Sequence, residues 1–204
     1  MLIRHAEKPA DGVNGVTYAG KKSAESLTPF GWQRAGALCR LFGNGKLPSP
    51  DAIFASLDDD GQKGSLRPMQ TVAPLAALLN GITDQESLFT TPPAPTPKVP
   101  FDTGISKKQL NQLAMALVAK RGVVLVAWQH EAMADICAAL GKLISIANPQ
   151  DIPTIWPGER FDMVYRLKRR KDGSYKFRQV PQMLLPGDKD SPFPPGGQST
   201  VAQN

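Results

Sequence analysis

The chain has 204 residues, and 41% of them are hydrophobic, which is enough for one domain with a sizeable core. Its formal net charge of +6 suits anionic ligands but does not by itself indicate a nucleic-acid partner. No apolar stretch reaches the roughly 18 residues of a membrane span, and charged residues from Arg4 onward interrupt the N-terminus too early for a signal peptide. We therefore expect a cytoplasmic protein that binds neither a membrane nor nucleic acid.

The first half of the chain predicts alternating strands and helices. A short buried strand at residues 2–3 is followed by a polar loop at 7–27, and Thr28 is the expected N-cap of a helix that begins at Pro29. Since a typical strand has about five to six residues, the short segment before Arg4 suggests that the natural start lies upstream of Met1. The next predicted elements are a strand at 52–56, a polar flexible loop at 58–64, a helix at 68–79 and a proline-rich extended surface connection at 91–100.

The second half continues the same alternation. Ser106 is the expected cap of a helix to about Lys120, and the continuous apolar run at 123–127 predicts a strand that is covered on both faces. The remaining predicted elements are a helix to about Leu140 and strands at 161–168 and 175–180, which an Asp-Gly turn joins.

This order of elements predicts an α/β domain at residues 1–183. Its fold is expected to be a three-layer α/β/α sandwich with a mostly parallel central sheet and an antiparallel C-terminal edge hairpin. From residue 184 to 204 the composition predicts a disordered tail. Cys39 and Cys137 fall in apolar helical patterns and are expected to be buried free thiols, and the chain has no Cys/His spacing typical of a metal site.

Both histidines of the chain follow a strand-like segment directly. His5 comes after Arg4 at the end of the first strand, and His130 ends the apolar run that begins at Val123. Side chains at the C-terminal ends of parallel strands point into the crevice where α/β enzymes bind ligands. There a neutral imidazole can attack a phosphoryl group, and a neighbouring guanidinium can clamp the phosphate with a planar fork of hydrogen bonds. The alternative for His5 is a structural histidine at a strand end.

Arg67 and Glu131 complete the set of candidate site residues. Arg67 precedes a predicted helix, so its guanidinium and the helix N-terminus would face the same anion; the alternative is a surface arginine. His130 would donate a hydrogen bond to a phosphoryl oxygen. Glu131 would protonate the leaving oxygen and then deprotonate water, whereas the alternative is an acid that merely complements a helix dipole.

Four segments occur in an order that a known family shares. They are Leu-Ile-Arg-His-Ala-Glu-Lys-Pro at 2–9, Leu-Thr-Pro-Phe-Gly-Trp-Gln-Arg-Ala at 27–35, Ser65-x-Arg67-x-x-Gln70-Thr71, and the strand-terminal His130. Together they span most of residues 2–180, and the set resembles the histidine phosphatase superfamily, also called the phosphoglycerate mutase-like family. The resemblance implies that His5 is a phosphorylated nucleophile, that Arg4, Arg67 and His130 form the phosphate pocket, and that no metal or organic cofactor takes part.

The resemblance leaves the general acid open. The family's first motif usually reads Arg-His-Gly, and Ala6 replaces the glycine here. In mutase-like members the acid is a Glu in a Glu-rich segment, a context that residues 81–105 lack. In the acid-phosphatase-like branch the acid follows the second histidine directly, which is the position of Glu131. We therefore favour Glu131 and rank Glu7 and Glu86 behind it.

The predicted activity is hydrolysis of a phosphomonoester in a small substrate or a phosphoprotein. A phosphoglycerate-type mutase and a non-catalytic phospho-ligand-binding module are the alternatives. Lys8 and Arg34 are candidates for binding the substrate beyond its phosphate, although solvent exposure explains Lys8 equally well. Trp128 and Met133 are expected in the core. The basic run at 166–171 favours a solvated hairpin turn over a phosphate- or membrane-attracting patch.

Overall fold

A computed structural model describes residues 1–10, 12–43, 45–56, 65–83 and 97–195. The predicted loop at 58–64, Glu86 and most of the proline-rich connection lie outside these ranges. The strands within them are β1 (Leu2–Arg4), β2 (Ala52–Ala55), β3 (Phe101–Asp102), β4 (Val124–Trp128), β5 (Met163–Arg169) and β6 (Tyr175–Pro181). The helices are α1 (Pro29–Gly43), α2 (Arg67–Asn80), α3 (Leu110–Ala119) and α4 (Met133–Gly141), with 3-10 turns at His130–Ala132 and Pro149–Asp151.

The strands form one mixed sheet in the order β3-β2-β4-β1-β5-β6. Strands β1 to β4 run parallel, whereas β5 is antiparallel to both β1 and β6. The register pairs Arg4 with Trp128 and Ala55 with Ala127, so the C-terminal ends of β1, β2 and β4 meet at one edge. The predicted mostly parallel sheet with an antiparallel C-terminal hairpin is confirmed.

Alternate residues of the central strands face two helical layers. Ile3, Ile53 and Leu125 pack in one core with α1 and α2, whereas Leu2 and Val126 pack in the other with α3 and α4. Each of these five residues is at most 2% exposed. The sheet is therefore covered on both faces, and the predicted three-layer α/β/α sandwich is confirmed.

The side chains of Trp128, Met133 and both cysteines are wholly or partly buried. Trp128 and Met133 are buried core residues, as predicted. Cys39 and Cys137 are free thiols, as predicted, although Cys39 is only partly buried. Within the described ranges, no helix is both long and apolar enough to cross a membrane.

Helix boundaries follow local capping chemistry. Oγ1 of Thr28 accepts a hydrogen bond from the Gly31 amide at 3.1 Å, and α1 begins at the next residue, as predicted. Gly81 ends α2 in the left-handed region, with a φ of 66°. The predicted cap at Ser106 is wrong, because Ser106 and Gln109 form a turn of their own before α3. The Ser106 amide donates to Oε1 of Gln109, and the Gln109 amide donates to the Ser106 carbonyl.

Val99, in the described end of the proline-rich connection, is buried, whereas the sequence predicts a surface segment. Val99 is 5% exposed, and the Asn80 side chain binds its amide at 2.8 Å and its carbonyl at 2.9 Å. The residues that follow pair with β2 as β3. The apolar side chain and the two amide hydrogen bonds therefore hold this segment against α2.

Residues 184–195 pack against the domain, although their composition predicts a disordered tail. Phe193 is 3% exposed, and its ring centroid lies 5.0 Å from that of Trp156. Asp188 accepts two hydrogen bonds from Arg34, at 2.7 and 3.1 Å. One buried ring and one buried ion pair thus hold a segment without regular secondary structure, which corrects the predicted boundary at residue 183. The last nine residues, 196–204, lie outside the described ranges.

Replacing Asp188 by Asn should lower the free energy of unfolding by about 3 kcal/mol, because the substitution leaves the buried Arg34 without one of its charge partners. Burial alone would raise the pKa of Asp188, but hydrogen bonds from Arg34 and from the amides of Leu184 and Leu185 lower it. The contribution of Asp188 is therefore complete above the ordinary aspartate pKa and is lost as the pH falls through the lowered value. Urea denaturation measures the change, and the exposed neighbour Asp190→Asn is the control. Equal small effects of both variants would show that the ion pair contributes nothing.

Gly31→Ala should destabilise the protein by about 1–3 kcal/mol through backbone overpacking. A Cβ at this position of α1 would lie 2.6 Å from the Glu7 carbonyl oxygen, and backbone cannot move aside as a flexible side chain can. Gly36 lies in the same helix, and a Cβ there would meet nothing within 4 Å. Gly36→Ala should therefore stabilise the protein by up to about 1 kcal/mol. Thermal melts compare the two variants, and changes of the same sign would contradict the close approach of α1 to the loop after His5.

Candidate active site

The C-terminal ends of β1, β2 and β4 bring most of the predicted site residues to one edge of the sheet. His5 follows β1, and its amide donates to the carbonyl of Trp128 at 2.9 Å. Ser56 follows β2, and its amide donates to the carbonyl of Ala127 at 3.3 Å. His130 lies just beyond β4. A cavity of about 290 Å³ at this edge is lined by His5, Lys8, Ser56, Ser65, Arg67, Pro68, Lys107, Gln129 and Glu131.

Arg4 directly precedes His5 at the same edge of the sheet, and its guanidinium is buried. Its Nη1 donates to the carbonyls of Pro157, Gly158 and Arg160, at 3.3, 2.5 and 3.0 Å. The guanidinium carbon of Arg4, Cζ, lies 3.8 Å from the centroid of the Phe161 ring, which is a cation–π contact. Burial lowers the pKa of Arg4 to about 10, so the group stays charged at neutral pH. Nε and Nη2 are buried and have no hydrogen-bond partner among the described residues.

His5 is a neutral imidazole with one nitrogen available. Its Nδ1 lies 2.7 Å from the Ala6 carbonyl oxygen, and a carbonyl only accepts, so Nδ1 carries the proton and Nε2 keeps its lone pair. Burial is the main cause that lowers the pKa of His5 to about 3, although the hydrogen bond to Ala6 opposes it. The positive charges of Arg4, Arg67 and His130 also lower this pKa, which shows that all three lie within electrostatic range of His5.

His130 and Glu131 open the 3-10 turn after β4. Nδ1 of His130 lies 3.0 Å from Oε2 of Glu131, in an electrostatic contact that lacks hydrogen-bond geometry. Burial and the charge of Arg4 lower the pKa of His130, whereas Glu131 acts in the opposite direction. The Glu131 side chain lines the cavity and is 66% exposed. Its carboxylate therefore has access both to solvent and to the cavity, as proton exchange with a bound ligand requires.

Arg67 is the first residue of α2, and a side chain of the same helix accepts a hydrogen bond from the loop after β1. Its Nη1 donates to a loop carbonyl at 2.9 Å and lies 3.8 Å from Oε2 of Glu25, while its buried Nε has no partner in the described part of the chain. One helical turn later, Oγ1 of Thr71 accepts from the Ala6 amide at 2.8 Å and donates to the Arg67 carbonyl at 2.7 Å. Through Thr71, the backbone of Arg67 is thus held in a fixed position relative to Ala6, the residue after His5.

Arg34 serves the fold rather than the cavity, contrary to the predicted role in substrate binding. It is 3% exposed, and its guanidinium contacts Oε1 of Glu7 at 2.8 and 2.9 Å as well as Asp188 and Gln182. Burial would lower the pKa of Arg34, but the hydrogen bonds with Asp188 and Glu7 raise it. Glu7 is thus engaged in a buried ion pair and does not line the cavity, which favours Glu131 over Glu7 as the acid.

Two parts of the site escaped the sequence analysis. Ser56, Ser65 and Lys107 line the cavity, and Ser56 was detectable because it follows a predicted strand at the same edge. The loop at 157–160 binds the Arg4 guanidinium through backbone carbonyls, which any residue supplies, so no side-chain pattern indicates these contacts. A Cβ added at the glycine of this loop would lie 3.8 Å from Nε2 of His130, so the loop also lies against the second histidine.

The arrangement suits a tetrahedral oxyanion. Buried polar groups are normally hydrogen-bonded, yet Nε and Nη2 of Arg4 and Nε of Arg67 have no partner among the described residues. Nε and Nη2 form the flat edge of a guanidinium that binds an oxyanion through two parallel hydrogen bonds. The neutral His5, which has a free lone pair, lies within electrostatic range of both guanidinium groups. In the described ranges, no group of three His, Cys, Asp or Glu side chains is placed to hold a metal ion.

Comparison with models of known protein families and with curated proteins gives no match to this chain. A function for the protein therefore has to be inferred from the residues of the site and from the motifs that contain them.

The two histidines allow a direct test of the His5 environment. The ring signals of His5 in an NMR titration should stay unchanged between about pH 8 and pH 5, whereas an unperturbed histidine titrates near about pH 6.5. The reason is its burial, which lowers the pKa of His5 to about 3. A His130→Gln variant leaves one histidine and assigns the signal. A midpoint near 6.5 for His5 would contradict a buried neutral imidazole.

Proposed function

We propose that this protein is a phosphatase of the histidine phosphatase superfamily, and that it hydrolyses a phosphomonoester through a phosphohistidine on His5. The supporting observation is a buried neutral His5, with Nε2 unprotonated, within electrostatic range of Arg4 and Arg67. Each of these arginines has at least one buried nitrogen without a hydrogen-bond partner among the described residues. The four motifs of the resemblance support the same function. The substrate is a small phosphorylated molecule or a phosphoprotein, and the proposed location is cytoplasmic.

In the first step, Nε2 of His5 attacks phosphorus and the bond to the leaving oxygen breaks. Phosphoryl transfer depends mainly on positioning and on stabilising the charge of the equatorial oxygens. Arg4 and Arg67 supply fixed cationic donors for these oxygens, and His130 supplies a third donor when protonated or in the appropriate tautomer. The protonated carboxyl of Glu131 transfers its proton to the leaving oxygen, and the product alcohol departs.

In the second step, water attacks the phosphohistidine. The Glu131 carboxylate takes one proton from the water, the P–N bond breaks, and the electron pair returns to Nε2 of His5. Inorganic phosphate leaves, and His5 is again neutral. The 66% exposure of Glu131 suits this role because its carboxylate can meet solvent water directly. Lys8, which lines the cavity, is proposed to bind the substrate next to the phosphate. Neither step requires a metal or organic cofactor.

His5→Ala should lower hydrolysis of an aryl phosphate by at least about a thousandfold, since no nucleophile remains. Glu131→Gln should lower kcat for an alkyl phosphate by about a hundredfold or more, and for an aryl phosphate much less, because an aryl oxide leaves without protonation. Glu159→Gln is the matched control for Glu131→Gln. Glu159 is an exposed carboxylate whose charge also acts on Arg4 and His130, but it does not line the cavity.

Trapping of the intermediate adds a second readout. Labelled phosphate should remain on the wild-type chain after alkaline denaturation and should be missing from His5→Ala. Wild-type turnover by His5→Ala would refute the mechanism. Conversion of 3- to 2-phosphoglycerate would instead establish a mutase, and phosphate binding without turnover of any phosphomonoester would establish a binding module.

A further inference from the structure

The net charge of the chain is concentrated in one hairpin. Strands β5 and β6 with their turn, residues 163–181, contain seven Lys and Arg residues and one acid, Asp172, which gives a charge of +6. The whole chain has 24 basic and 18 acidic residues, also a net of +6. The rest of the chain is therefore electrically neutral. Among the described residues, the hairpin forms an ion pair between Arg170 and Asp172, at 3.4 Å, within its own turn.

The hairpin places like charges directly opposite each other. Its register pairs Arg166 with Arg178 and Lys168 with Lys176, and these four side chains share one face of the two strands. Like charges at directly opposed positions destabilise a strand pair. The hairpin cations also line a groove of about 370 Å³. A bound polyanion would attract all four cations and so offset their mutual repulsion. The arrangement therefore indicates an anionic ligand rather than a solvated turn.

This basic face lies at the opposite end of the sheet from the candidate active site. Arg4 and His5 are at the C-terminal end of β1, where β5 begins. Strand β5 then runs antiparallel to β1, so its basic half extends past the N-terminal end of β1. The step from Met163 to Lys168 spans about 17 Å at about 3.4 Å per residue. An anion bound at the hairpin is therefore separate from a substrate bound at His5.

Exposed aliphatic side chains adjoin the basic face and identify the kind of partner. A groove of about 1060 Å³ at the same end is lined by Arg166 and Lys168 together with Val118 and Leu143. Val118 is 43% exposed and Leu143 is 48% exposed. Aliphatic side chains next to cations suit the boundary between lipid headgroups and acyl chains, whereas they gain nothing from a phosphodiester backbone.

The cationic face itself also argues against single-stranded nucleic acid. Its cations alternate with the hairpin aromatics Tyr165, Tyr175 and Phe177, which belong to the opposite face of the strands. Of these, Tyr165 and Phe177 are buried in the core. Tyr175 is partly buried and lines the larger groove beside Arg166 and Lys168. The hairpin therefore offers one aromatic side chain there and not the row of rings on which successive bases stack.

We propose that the β5–β6 hairpin docks the protein on an anionic phospholipid surface, with the candidate active site turned toward the aqueous phase. The hairpin cations bind lipid phosphate and carboxylate groups, and Val118 and Leu143 enter the headgroup boundary beside them. This proposal favours the membrane-attracting alternative for the basic run at 166–171 over the expectation that the protein binds no membrane. It does not depend on the proposed phosphatase activity. Clusters of four to eight Lys and Arg residues bind anionic leaflets in this way, each changing the partition constant about fivefold.

The test is co-sedimentation of the full chain with vesicles at about 0.1 M salt. Vesicles of phosphatidylcholine with about 30% phosphatidylserine should capture the protein, and vesicles of phosphatidylcholine alone should not. The triple variant Lys168→Gln, Lys171→Gln and Lys176→Gln should bind about a hundredfold more weakly. The matched control is the triple variant Lys21→Gln, Lys22→Gln and Lys108→Gln, which removes the same charge from exposed positions elsewhere and should bind nearly as the wild type does.

Equal losses in the two triple variants would overturn the proposal, because binding would then follow net charge and not the hairpin. Failure of the wild type to sediment with either vesicle would also overturn it. A labelled DNA duplex at matched phosphate concentration is the third arm, and tighter binding to the duplex than to the anionic vesicles would assign the hairpin to nucleic acid instead. Thermal melts of both variants confirm that each is folded.

Discussion

The burial of the Arg4 guanidinium is the interaction on which the organisation of the site depends. Arg4 is 1% exposed, and a buried charge costs several kcal/mol unless other groups compensate it. Three carbonyls of the loop at 157–160 and the Phe161 ring supply part of that compensation from the other end of the chain. Nε and Nη2 remain without a partner in the described residues. The same charge therefore ties β1 to the segment before β5.

The placement of the two histidines was predictable because it follows from strand pairing. Each follows an apolar run, and the C-terminal ends of neighbouring parallel strands lie at one edge whichever loops connect them. The register of β1 with β4, which sets Arg4 beside Trp128, brings His5 and His130 to that edge. The carbonyl support of Arg4 was not predictable in the same way, since carbonyl groups are common to all residues and leave no pattern in the sequence.

Errors in the predicted boundaries have a common physical cause, namely tertiary contacts that outweigh local composition. Proline, glycine and aspartate predict disorder after residue 184, yet the burial of Phe193 and the ion pair of Asp188 with Arg34 order residues 184–195. Serine predicts a cap at 106, yet the Ser106 amide donates a hydrogen bond to Oε1 of Gln109, and α3 begins only at Leu110. Arg34 belongs to a motif that resembles a catalytic family, and its partners Glu7 and Asp188 show that it fixes the loop after His5 instead.

Strand β5 separates two regions of positive charge that would otherwise interfere. Its first residues lie beside Arg4, and its last residues form the basic face, about 17 Å farther along the strand. The Debye length at physiological ionic strength is about 8 Å, so the field of the hairpin is reduced severalfold in solvent before it reaches the cavity. The main causes that lower the pKa of His5 are its own burial and the charges of Arg4, Arg67 and His130, all at the cavity end of the sheet. An anion could therefore neutralise the hairpin without changing the protonation state of the histidine at the opposite end of the sheet.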